Sequence, residues 1–319
     1  MTSYTKRVLV AGGAGFIGGN FLLRFVRQYP DYYFICVDVL NYASNYETLR
    51  PLERFENYKF IKMDLSEDTE QLLQLTGNYG ITDIINFAAE SSVDRSFLSP
   101  TFFTKNNILA TQNLLECHRT SPEQIQTFIH ISTDEVYGDE VVRASEKSPL
   151  NPTNPYSATK AAVDLIINAY TKSYKLPITV LRPNNIYGPG QYPEKLIPLT
   201  IECGETNRPV PIHGNGKNER RYLYISDFLD AVDITWHRSD CAGETYNVGG
   251  DVEHEGSIAN NELVSLINDV FGCSVDIEYV KDRNYNDLDY SMDTEKLRKL
   301  GWRQKVTLHE GLTAIKKLK

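Results

Sequence analysis

The chain has 319 residues, of which 41% are hydrophobic and 24% are charged, and it carries a net charge of −9 with an isoelectric point near 5.3. This composition is that of a globular protein long enough for about two domains. The acidic balance argues against a nucleic-acid or anionic-membrane surface, and no run approaches the roughly 18 apolar residues that a spanning helix needs. We therefore expect neither a nucleic-acid nor a membrane partner.

The cysteine and histidine patterns argue against disulfides and metals. The five cysteines are odd in number, widely scattered and never in C-x-x-C spacing, which is typical of reduced thiols in a cytosol. None of the six histidines has a second histidine or a cysteine at metal-ligand spacing. We predict a cytoplasmic protein without a metal site.

The N-terminal segment predicts a dinucleotide site. Residues 8–11 form a short apolar run typical of a buried strand, and Gly12, Gly15 and Gly18 follow at G-x-x-G-x-x-G spacing, opening a helix that runs to about residue 29. Such glycines allow a tight turn and a close approach of backbone N–H groups to a pyrophosphate at the positive end of a helix.

Acidic residues follow the next two predicted strands. The strand at 33–37 ends at Asp38, whose carboxylate suits a ribose diol and repels a 2′-phosphate, so NAD is favoured over NADP. The strand at 58–62 is followed by Asp64. This second acid either accepts a hydrogen bond from an adenine amine or serves as a turn or helix-cap residue.

The following segments predict a doubly wound sheet. The strand at 83–87 precedes Ala88 and Ala89, whose small side chains would let the backbone lie against a cofactor. Helices and strands then alternate over 100–119 (helix), 127–131 (strand), 156–174 (helix) and 178–181 (strand). This alternation predicts an α/β, Rossmann-like fold with a parallel sheet.

The character of the chain changes after Arg182, where turn residues become frequent and elements become shorter. We predict an NAD-binding domain over 1–182, with returning segments near 220–250, and a smaller, mixed α/β substrate domain mainly over 183–319. Basic residues in the second part either converge on a substrate diphosphate or are surface charges. These residues are Lys195, Arg220, Arg221 and Arg283.

Five groups able to move or steer protons occur in two clusters. The hydroxyl of Thr133 and the adjacent carboxylates of Asp134 and Glu135 directly follow a predicted strand. Tyr156 and Lys160 are four residues apart and so share one face of a helix. Each residue alone could be an ordinary loop or helix residue, but the set, placed behind a glycine loop, predicts a proton-transfer site.

The glycine triplet and Tyr156-x-x-x-Lys160 resemble the extended short-chain dehydrogenase/reductase family. Within it, S-T-D-E-V-Y-G at 132–138, N-P-T-N-P-Y-S-A-T-K at 151–160 and P-E-K-L-I-P at 193–198 are similar to the nucleotide-sugar 4,6-dehydratases. The resemblance runs nearly end to end. It implies a lyase with tightly bound NAD that converts a nucleotide hexose to its 4-keto-6-deoxy form, and a homodimer formed through the helices at 100–119 and 156–174.

The resemblance also implies catalytic roles. Tyr156 removes the C4 hydroxyl proton as hydride passes to the cofactor, Lys160 favours the phenolate and holds the nicotinamide ribose, and Thr133 binds the C4 oxygen. The ketone makes the C5 proton acidic. Glu135 then takes that proton while a protonated Asp134 donates to the departing C6 oxygen, which requires two carboxyl groups with different pKa values.

Two sets of binding residues follow from the same resemblance. The cofactor set is Gly12, Gly15, Phe16, Ile17, Gly18, Asp38, Asp64, Leu65, Ala88, Ala89, Tyr156 and Lys160. The substrate set is Ser91, Asn185, Lys195, Leu196, Pro211, His213, Arg220, Asn247, Arg283 and Asn286.

Departures from the family pattern leave the sugar and the base open. They fall at Ser92, Ile186, Arg221 and 251–256, so dTDP-glucose, UDP-glucose and UDP-N-acetylglucosamine all remain candidate substrates. A nucleotide-sugar 4-epimerase or a UDP-glucuronate decarboxylase would share the fold, but neither needs a proton donor for a C6 hydroxyl, so Asp134 discriminates against them. A non-catalytic NAD-binding sensor often loses the tyrosine or the lysine, and both are present.

Overall fold

The computed structural model describes residues 4–139, 143–250, 257–283, 285, 287 and 290–318. Its strands are β1 Lys6–Ala11, β2 Tyr32–Asp38, β3 Tyr58–Lys62, β4 Asp83–Asn86, β5 Thr127–Ile131, β6 Ile178–Pro183, β7 Asn185–Tyr187, β8 Val210–His213, β9 Glu219–Arg220, β10 Tyr222–Tyr224, β11 Thr245–Val248, β12 Ile258–Ala259 and β13 Ile277–Val280.

The helices are α1 Phe16–Gln28, α2 Thr69–Tyr79, α3 Val93–Leu98, α4 Pro100–Phe103, α5 Ala110–Thr120, α6 Pro155–Tyr174, α7 Leu196–Thr206, α8 Ile225–Trp236, α9 Asn260–Phe271, α10 Glu295–Lys299 and α11 Leu308–Lys317. A π-helical segment, Thr104–Leu109, joins α4 to α5, so the predicted helix at 100–119 has a local change of pitch. Within the described residues, 3₁₀ turns cover Tyr46–Leu52, Asp134–Tyr137 and Ser239–Cys241.

Seven strands form one sheet in the order β11-β6-β5-β4-β1-β2-β3. β1 is paired in parallel with β2 on one side and with β4 on the other. The chain therefore winds outward from β1 in one direction and then in the other. Ligands of such sheets bind beyond the carboxyl ends of the strands where this reversal occurs, here between β1 and β4. The predicted Rossmann-like fold is confirmed.

Two compact units account for the chain, one comprising 1–132, 155–181 and 235–245, and the other 133–154, 182–234 and 246–319. One boundary between the units lies between residues 181 and 182, and 133–154 belongs to the second unit. Residues 235–245 belong to the first unit.

The first unit has a core between the sheet and its helices. Strand residues such as Leu9, Ile35, Ile84 and Phe128 are fully buried in it. Because a parallel sheet is covered on both faces, its strands are continuous apolar runs rather than alternating ones. That pattern is why these strands could be located from the sequence.

The second unit has its own apolar clusters, in which Tyr187, Ile197, Leu263 and Leu312 pack together around α7, α9 and α11. Its sheets are two-stranded: β10 with β7, β12 with β9, and β13 with β8. This is the mixed α/β architecture expected of the C-terminal half. Among the described residues, no helix has both the length and the apolar character needed to cross a membrane.

Candidate active site

The glycine loop after β1 has a conformation that only glycine permits. Gly12 has a φ of +70°, and a Cβ there would lie 2.6 Å from the backbone nitrogen of Ala88. A Cβ at Gly18 would lie 2.4 Å from the carbonyl oxygen of Gly12. Gly15 is the N-cap of α1, so Phe16 and Ile17 open the helix with their backbone N–H groups at its positive end. The loop therefore fits a pyrophosphate.

Asp38 ends β2 and holds this loop. Its Oδ2 accepts a hydrogen bond from the backbone N–H of Ala14 at 2.9 Å. Its Oδ1 accepts bonds from the N–H of Leu40 at 2.7 Å and from the hydroxyl of Ser44 at 2.9 Å. The carboxylate thus lies beside the glycine loop, where the sequence analysis predicts the adenosine ribose.

The remaining predicted cofactor residues follow β3 and β4. Asp64 accepts bonds at Oδ1 from both the N–H and the hydroxyl of Ser66, which is a turn contact. Leu65 is buried, and its carbonyl accepts a bond from Asn113 at 2.7 Å. Ala88 and Ala89 are partly buried after β4. The sequence allowed two roles for Asp64, a turn residue or an adenine contact. In the structure, Asp64 has the first of these roles.

Tyr156 and Lys160 lie one turn apart on α6, and both are buried. The ammonium of Lys160 donates to the carbonyl of Ile131 at 2.6 Å and lies 3.3 Å from Nε2 of His130. Burial lowers the pKa of Lys160 to about 8, and the charge of Asp164 opposes this shift. The buried ammonium of Lys160 therefore loses its proton more easily than that of an exposed lysine.

His130 is a polar neighbour of Lys160 that the sequence analysis did not assign. Its Nδ1 lies 3.1 Å from Nδ2 of Asn86, and burial followed by the charge of Lys160 lowers its pKa well below the ordinary value. The imidazole is therefore neutral at physiological pH. The sequence around His130 did not predict its contacts with Lys160 and Asn86, because these partners lie 30 and 44 residues away in the chain.

Thr133, Asp134 and Glu135 lie at the start of the 3₁₀ turn after β5. Thr133 is its N-cap: Oγ1 accepts from the N–H of Glu135 and donates to Oδ1 of Asp134 at 3.1 Å. Gly138 closes the turn with a φ of +69°, and a Cβ there would lie 2.3 Å from the carbonyl oxygen of Asn151. Two adjacent carboxyl groups therefore begin one short, closed turn.

Asp134 is buried, and Oδ2 accepts a bond from Nδ2 of Asn184 at 2.7 Å. Burial raises the pKa of Asp134 to about 7, and the charge of Glu135 adds to the shift. The bonds from Asn184 and Thr133 and the charge of Arg220 oppose it. A carboxyl group with this pKa is still partly protonated at neutral pH, as a general acid requires.

Glu135 is half-buried, and its Oε2 accepts a bond from Nδ2 of Asn154 at 3.1 Å. Burial raises the pKa of Glu135, whereas Asn154, Lys195 and Arg220 lower it. The surroundings of the two acids therefore differ in their donors and cations. Asn154 and Asn184 were missed in the sequence because they are remote from the carboxyl groups they contact.

Arg220 occupies a defined position in the second unit. Its guanidinium donates to the carbonyl of Asp287 at 2.9 Å and lies 4.9 Å from the ring centre of Tyr290. The Nδ1 of His213 lies 3.0 Å from the carbonyl of Lys281. The other predicted substrate residues are partly buried or exposed: Ser91, Asn185, Lys195, Leu196, Pro211 and Arg283.

Asn247 does not have the exposure of a substrate contact. It is fully buried, with Oδ1 accepting from the hydroxyl of Tyr137 at 2.8 Å and Nδ2 donating to the carbonyls of Ala144 and Asp293. Its amide is committed to internal bonds, so we leave it out of the proposed substrate set. Asn286 and the segment 251–256 lie outside the described residues.

One departure from the family pattern has a local structural role. Ser92 is the N-cap of α3, and its hydroxyl accepts a bond from the N–H of Arg95. A serine is among the residues favoured at this position. Its presence is thus accounted for by helix capping, without reference to a sugar.

The fold, the glycine loop with Asp38, and the pair Tyr156 and Lys160 define an enzyme of the extended short-chain dehydrogenase/reductase class. The family model described as GDP-mannose 4,6 dehydratase matches residues 9–315, and the chain belongs to this family.

Relatives that are named as nucleotide-sugar 4,6-dehydratases are similar to the chain over nearly its whole length. The chain is 43% identical to the Arabidopsis thaliana trifunctional UDP-glucose 4,6-dehydratase/UDP-4-keto-6-deoxy-D-glucose 3,5-epimerase/UDP-4-keto-L-rhamnose-reductase RHM1, over 98% of this chain and 47% of that protein. It therefore spans about half the length of the plant protein. It is 38% identical to human dTDP-D-glucose 4,6-dehydratase, over 97% and 88% of the two chains.

The crystal structure of DesIV, the dTDP-glucose 4,6-dehydratase of Streptomyces venezuelae with NAD and TYD bound, is 36% identical to the chain. It has a TM-score of 0.90 and covers 98% and 96% of the two chains. The predictions of an NAD cofactor and of a nucleotide-sugar 4,6-dehydratase, a lyase, are confirmed.

Proposed function

We propose that this NAD-dependent nucleotide-sugar 4,6-dehydratase acts through Thr133, Asp134, Glu135, Tyr156 and Lys160. The observation that carries the proposal is the pair of adjacent carboxyl groups with separate amide donors, Asn184 for Asp134 and Asn154 for Glu135. Water elimination needs an acid and a base of the same chemical type, and different surroundings are how proteins separate their pKa values.

NAD, when bound, accepts hydride from C4 of the sugar and later returns it to C6. Tyr156 takes the C4 hydroxyl proton in the first step, and the cation of Lys160 stabilises the phenolate that does so. Thr133 hydrogen-bonds the C4 oxygen, for which its hydroxyl turns away from Oδ1 of Asp134. The support for these roles is that Tyr156 and Lys160 share one turn of α6 and that Lys160 is fixed by the carbonyl of Ile131.

Glu135 removes the C5 proton, which the C4 ketone has made acidic. Asp134 donates its proton to the C6 oxygen, the C6–O bond breaks, and water leaves as the electrons of the C5–H bond form the C5=C6 double bond. Glu135 then returns its proton to C5. The pKa of about 7 at Asp134 supports the role of acid, because an unperturbed aspartic acid would be almost wholly ionised at neutral pH.

We propose UDP-glucose as the substrate. Support comes from the 43% identity to the plant protein, whose name includes UDP-glucose 4,6-dehydratase, compared with 38% to the human dTDP-D-glucose enzyme. Arg220 and Lys195 would bind the diphosphate, with Arg283, Asn185, Ser91, Leu196, Pro211, His213 and Asn286 as further contacts. dTDP-glucose is the second candidate on the strength of the human relative.

The first unit is the proposed NAD-binding domain and the second the proposed substrate domain. We further propose a homodimer through the helices near 100–119 and 156–174. Leu109 and Leu165 on these helices are 45% and 59% exposed, which supports an apolar interface. Five free cysteines support a reducing compartment such as the cytosol.

The test is mass spectrometry of products formed from UDP-glucose, dTDP-glucose and UDP-N-acetylglucosamine by the purified chain with NAD. The expected product is one water lighter than UDP-glucose. A product of unchanged mass, as a 4-epimerase makes, contradicts the proposed function. Light scattering of the purified chain tests the dimer, which a monomer mass at all concentrations excludes.

A further inference from the structure

Asn184 is an amide with an unusual position, between β6 and β7. It is 4% exposed, and its backbone N–H donates to the carbonyl of Val248 at 3.0 Å. Its side-chain Nδ2 donates to Oδ2 of Asp134 at 2.7 Å and lies 3.4 Å from the carbonyl of Tyr290. This short bond holds the proposed general acid to the segment between β6 and β7, in addition to the bond that Thr133 donates to Oδ1 from the same turn.

Gly249 provides the space in which this amide sits. A Cβ at Gly249 would lie 2.3 Å from Oδ1 of Asn184 and 3.4 Å from Cε of Met292. A side chain at position 249 would therefore push the amide away from its present place. The absence of a side chain at Gly249 is a condition for the bond between Asn184 and Asp134.

We propose that Asn184, seated against Gly249, is a positioning residue that determines which oxygen of Asp134 carries the proton for the C6 leaving group. The inference rests on the proposed function. An amide nitrogen donates and cannot accept, so Oδ2 is held as an acceptor in both protonation states. The proton of the acid form is therefore carried by Oδ1, because the hydroxyl of Thr133, which donates to Oδ1 at 3.1 Å, can turn away and the amide of Asn184 cannot stop donating to Oδ2.

The chemical consequence concerns the elimination step alone. The Oδ1–H bond breaks as the proton passes to the C6 oxygen, and the new carboxylate keeps its bond from Asn184. Because that bond is stronger to a charged oxygen than to a neutral one, Asn184 makes Asp134 a stronger acid than burial alone would. Without Asn184, Asp134 would stay protonated to a higher pH and would donate its proton less readily.

Charged side chains near Asp134 and Glu135 also shift the pKa values of these two acids, and substitution of Asn184, Asn154 or Gly249 leaves those charges in place. The negative charge of Glu135 raises the pKa of Asp134, and the positive charge of Arg220 lowers it. Lys195 and Arg220 lower the pKa of Glu135, and the charge of Asp287 raises it. The hydroxyl of Tyr290 donates a hydrogen bond to Asp287. A change seen on removing one amide is therefore attributable to that amide.

Asn154 offers a matched control, because it donates to Glu135 as Asn184 does to Asp134. A general base must be deprotonated, so its pKa sets the acidic limb of the rate profile, whereas a general acid sets the alkaline limb. Asn184→Leu is expected to move the alkaline limb to higher pH, and Asn154→Leu the acidic limb to higher pH. A purely structural defect would lower the rate at every pH and move neither limb.

The experiment is the pH dependence of kcat for the unmodified holoenzyme and for Asn184→Leu, Asn154→Leu and Gly249→Ala. We expect Asn184→Leu to shift the alkaline limb upward by about one pH unit and to lower the plateau about tenfold, with KM nearly unchanged. Gly249→Ala should shift the same limb in the same direction while keeping the asparagine, and it serves if Asn184→Leu does not fold.

Hydride transfer provides a second readout. Absorbance at 340 nm should still rise when substrate is added to Asn184→Leu, because only elimination is impaired. An unshifted alkaline limb in both Asn184→Leu and Gly249→Ala overturns the inference while leaving the proposed function intact. An unmodified enzyme that forms no 4-keto-6-deoxy sugar from any nucleotide sugar overturns both.

Discussion

Lys160 donates from Nζ to the main-chain carbonyl of Ile131 over 2.6 Å, which fixes the ammonium one helical turn from Tyr156. An ammonium held by backbone has little freedom to move away during catalysis. This contact joins the last residue of β5 to the helix that carries the proposed base.

Tyr156→Phe should remove the base without disturbing this contact. We expect turnover to fall by at least about 10²-fold, which is the lower end of what a general base contributes. NAD should remain bound, because Lys160 and the glycine loop are unchanged. Product formation by mass spectrometry and the NAD content of the purified protein are the two measurements, and undiminished turnover would refute the assignment.

Asp134→Asn combined with Glu135→Gln should separate oxidation from elimination. Both amides are close to the original shapes, and each keeps an oxygen that can accept from Asn184 or Asn154. We expect absorbance at 340 nm to rise on adding substrate, with product formation reduced by about 10²-fold or more. Normal amounts of the dehydrated product would contradict the elimination roles of both residues.

Asp134→Asn should also change how stability depends on pH. The pKa of Asp134 is about 7 in the fold against an ordinary value of 3.8, so its charged form is the less stable one when folded. Stability from this group is full below about pH 4 and is lost as the pH rises through about 7.

The variant cannot lose this stability, so it should melt a few degrees above the unmodified protein near pH 8 and equally near pH 4. Thermal melts at the two pH values measure this. A variant that is less stable at the higher pH would indicate that the carboxylate is better accommodated than its burial implies.

Asp38→Asn should weaken the preference for NAD. The variant retains an acceptor oxygen for the N–H of Ala14 but loses the charge that would repel a 2′-phosphate. We expect NAD affinity to fall by about tenfold or more and the affinity for NADP to rise relative to it. Calorimetric titration with both dinucleotides is the measurement.

Asp64→Asn is the comparison for Asp38→Asn, because its carboxylate is engaged with Ser66 in a turn. It should leave the ratio of the two affinities unchanged. Identical selectivity in both variants and the unmodified protein would exclude Asp38 as the discriminating residue.

Asp83→Ala should destabilise the first unit. The buried carboxylate accepts bonds from Lys6 at 2.5 Å and from the indole of Trp236 at 2.7 Å, and removing it strands both donors. Breaking a buried pair costs about 3–5 kcal/mol. The exposed pair of Lys305 and Asp230 is the control, since Lys305→Ala should cost less than about 1 kcal/mol. Denaturant unfolding measures the free energy of unfolding of both variants, and equal losses in the two would contradict the prediction.

The parallel sheet was predictable because strands that are buried on both faces are continuous apolar runs in the sequence. The spacing of Gly12 and Gly18 predicted a glycine loop, and the structure supplies the reason, since a Cβ at either position would overlap main-chain atoms. Asn154 and Asn184 could not be predicted, because their bonds connect residues 19 and 50 positions apart. Asparagine in a loop has many ordinary roles, and only the three-dimensional structure distinguishes a carboxyl partner from a turn residue.

The predicted domain boundary shows a related limit. The composition changes after Arg182, and that change is visible in the sequence, whereas the assignment of 133–154 to the second unit depends on contacts with residues remote in the chain, such as Asn184 and Asn247. Asn247 is similar: the family resemblance implied a substrate contact, and the three bonds of its side-chain amide are evident only in the fold.

The passage of the chain between units has a consequence for how such enzymes can diversify. The chain enters the second unit at Thr133 and leaves it after Asn154. The segment 133–154 therefore carries the proposed acid, the proposed base and the amide that donates to the base as one continuous insert. Exchange of this single stretch between homologues would alter the events at C5 and C6 while leaving the dinucleotide framework untouched. A chimera with the insert of a 4-epimerase would be expected to keep its redox chemistry and to stop releasing water.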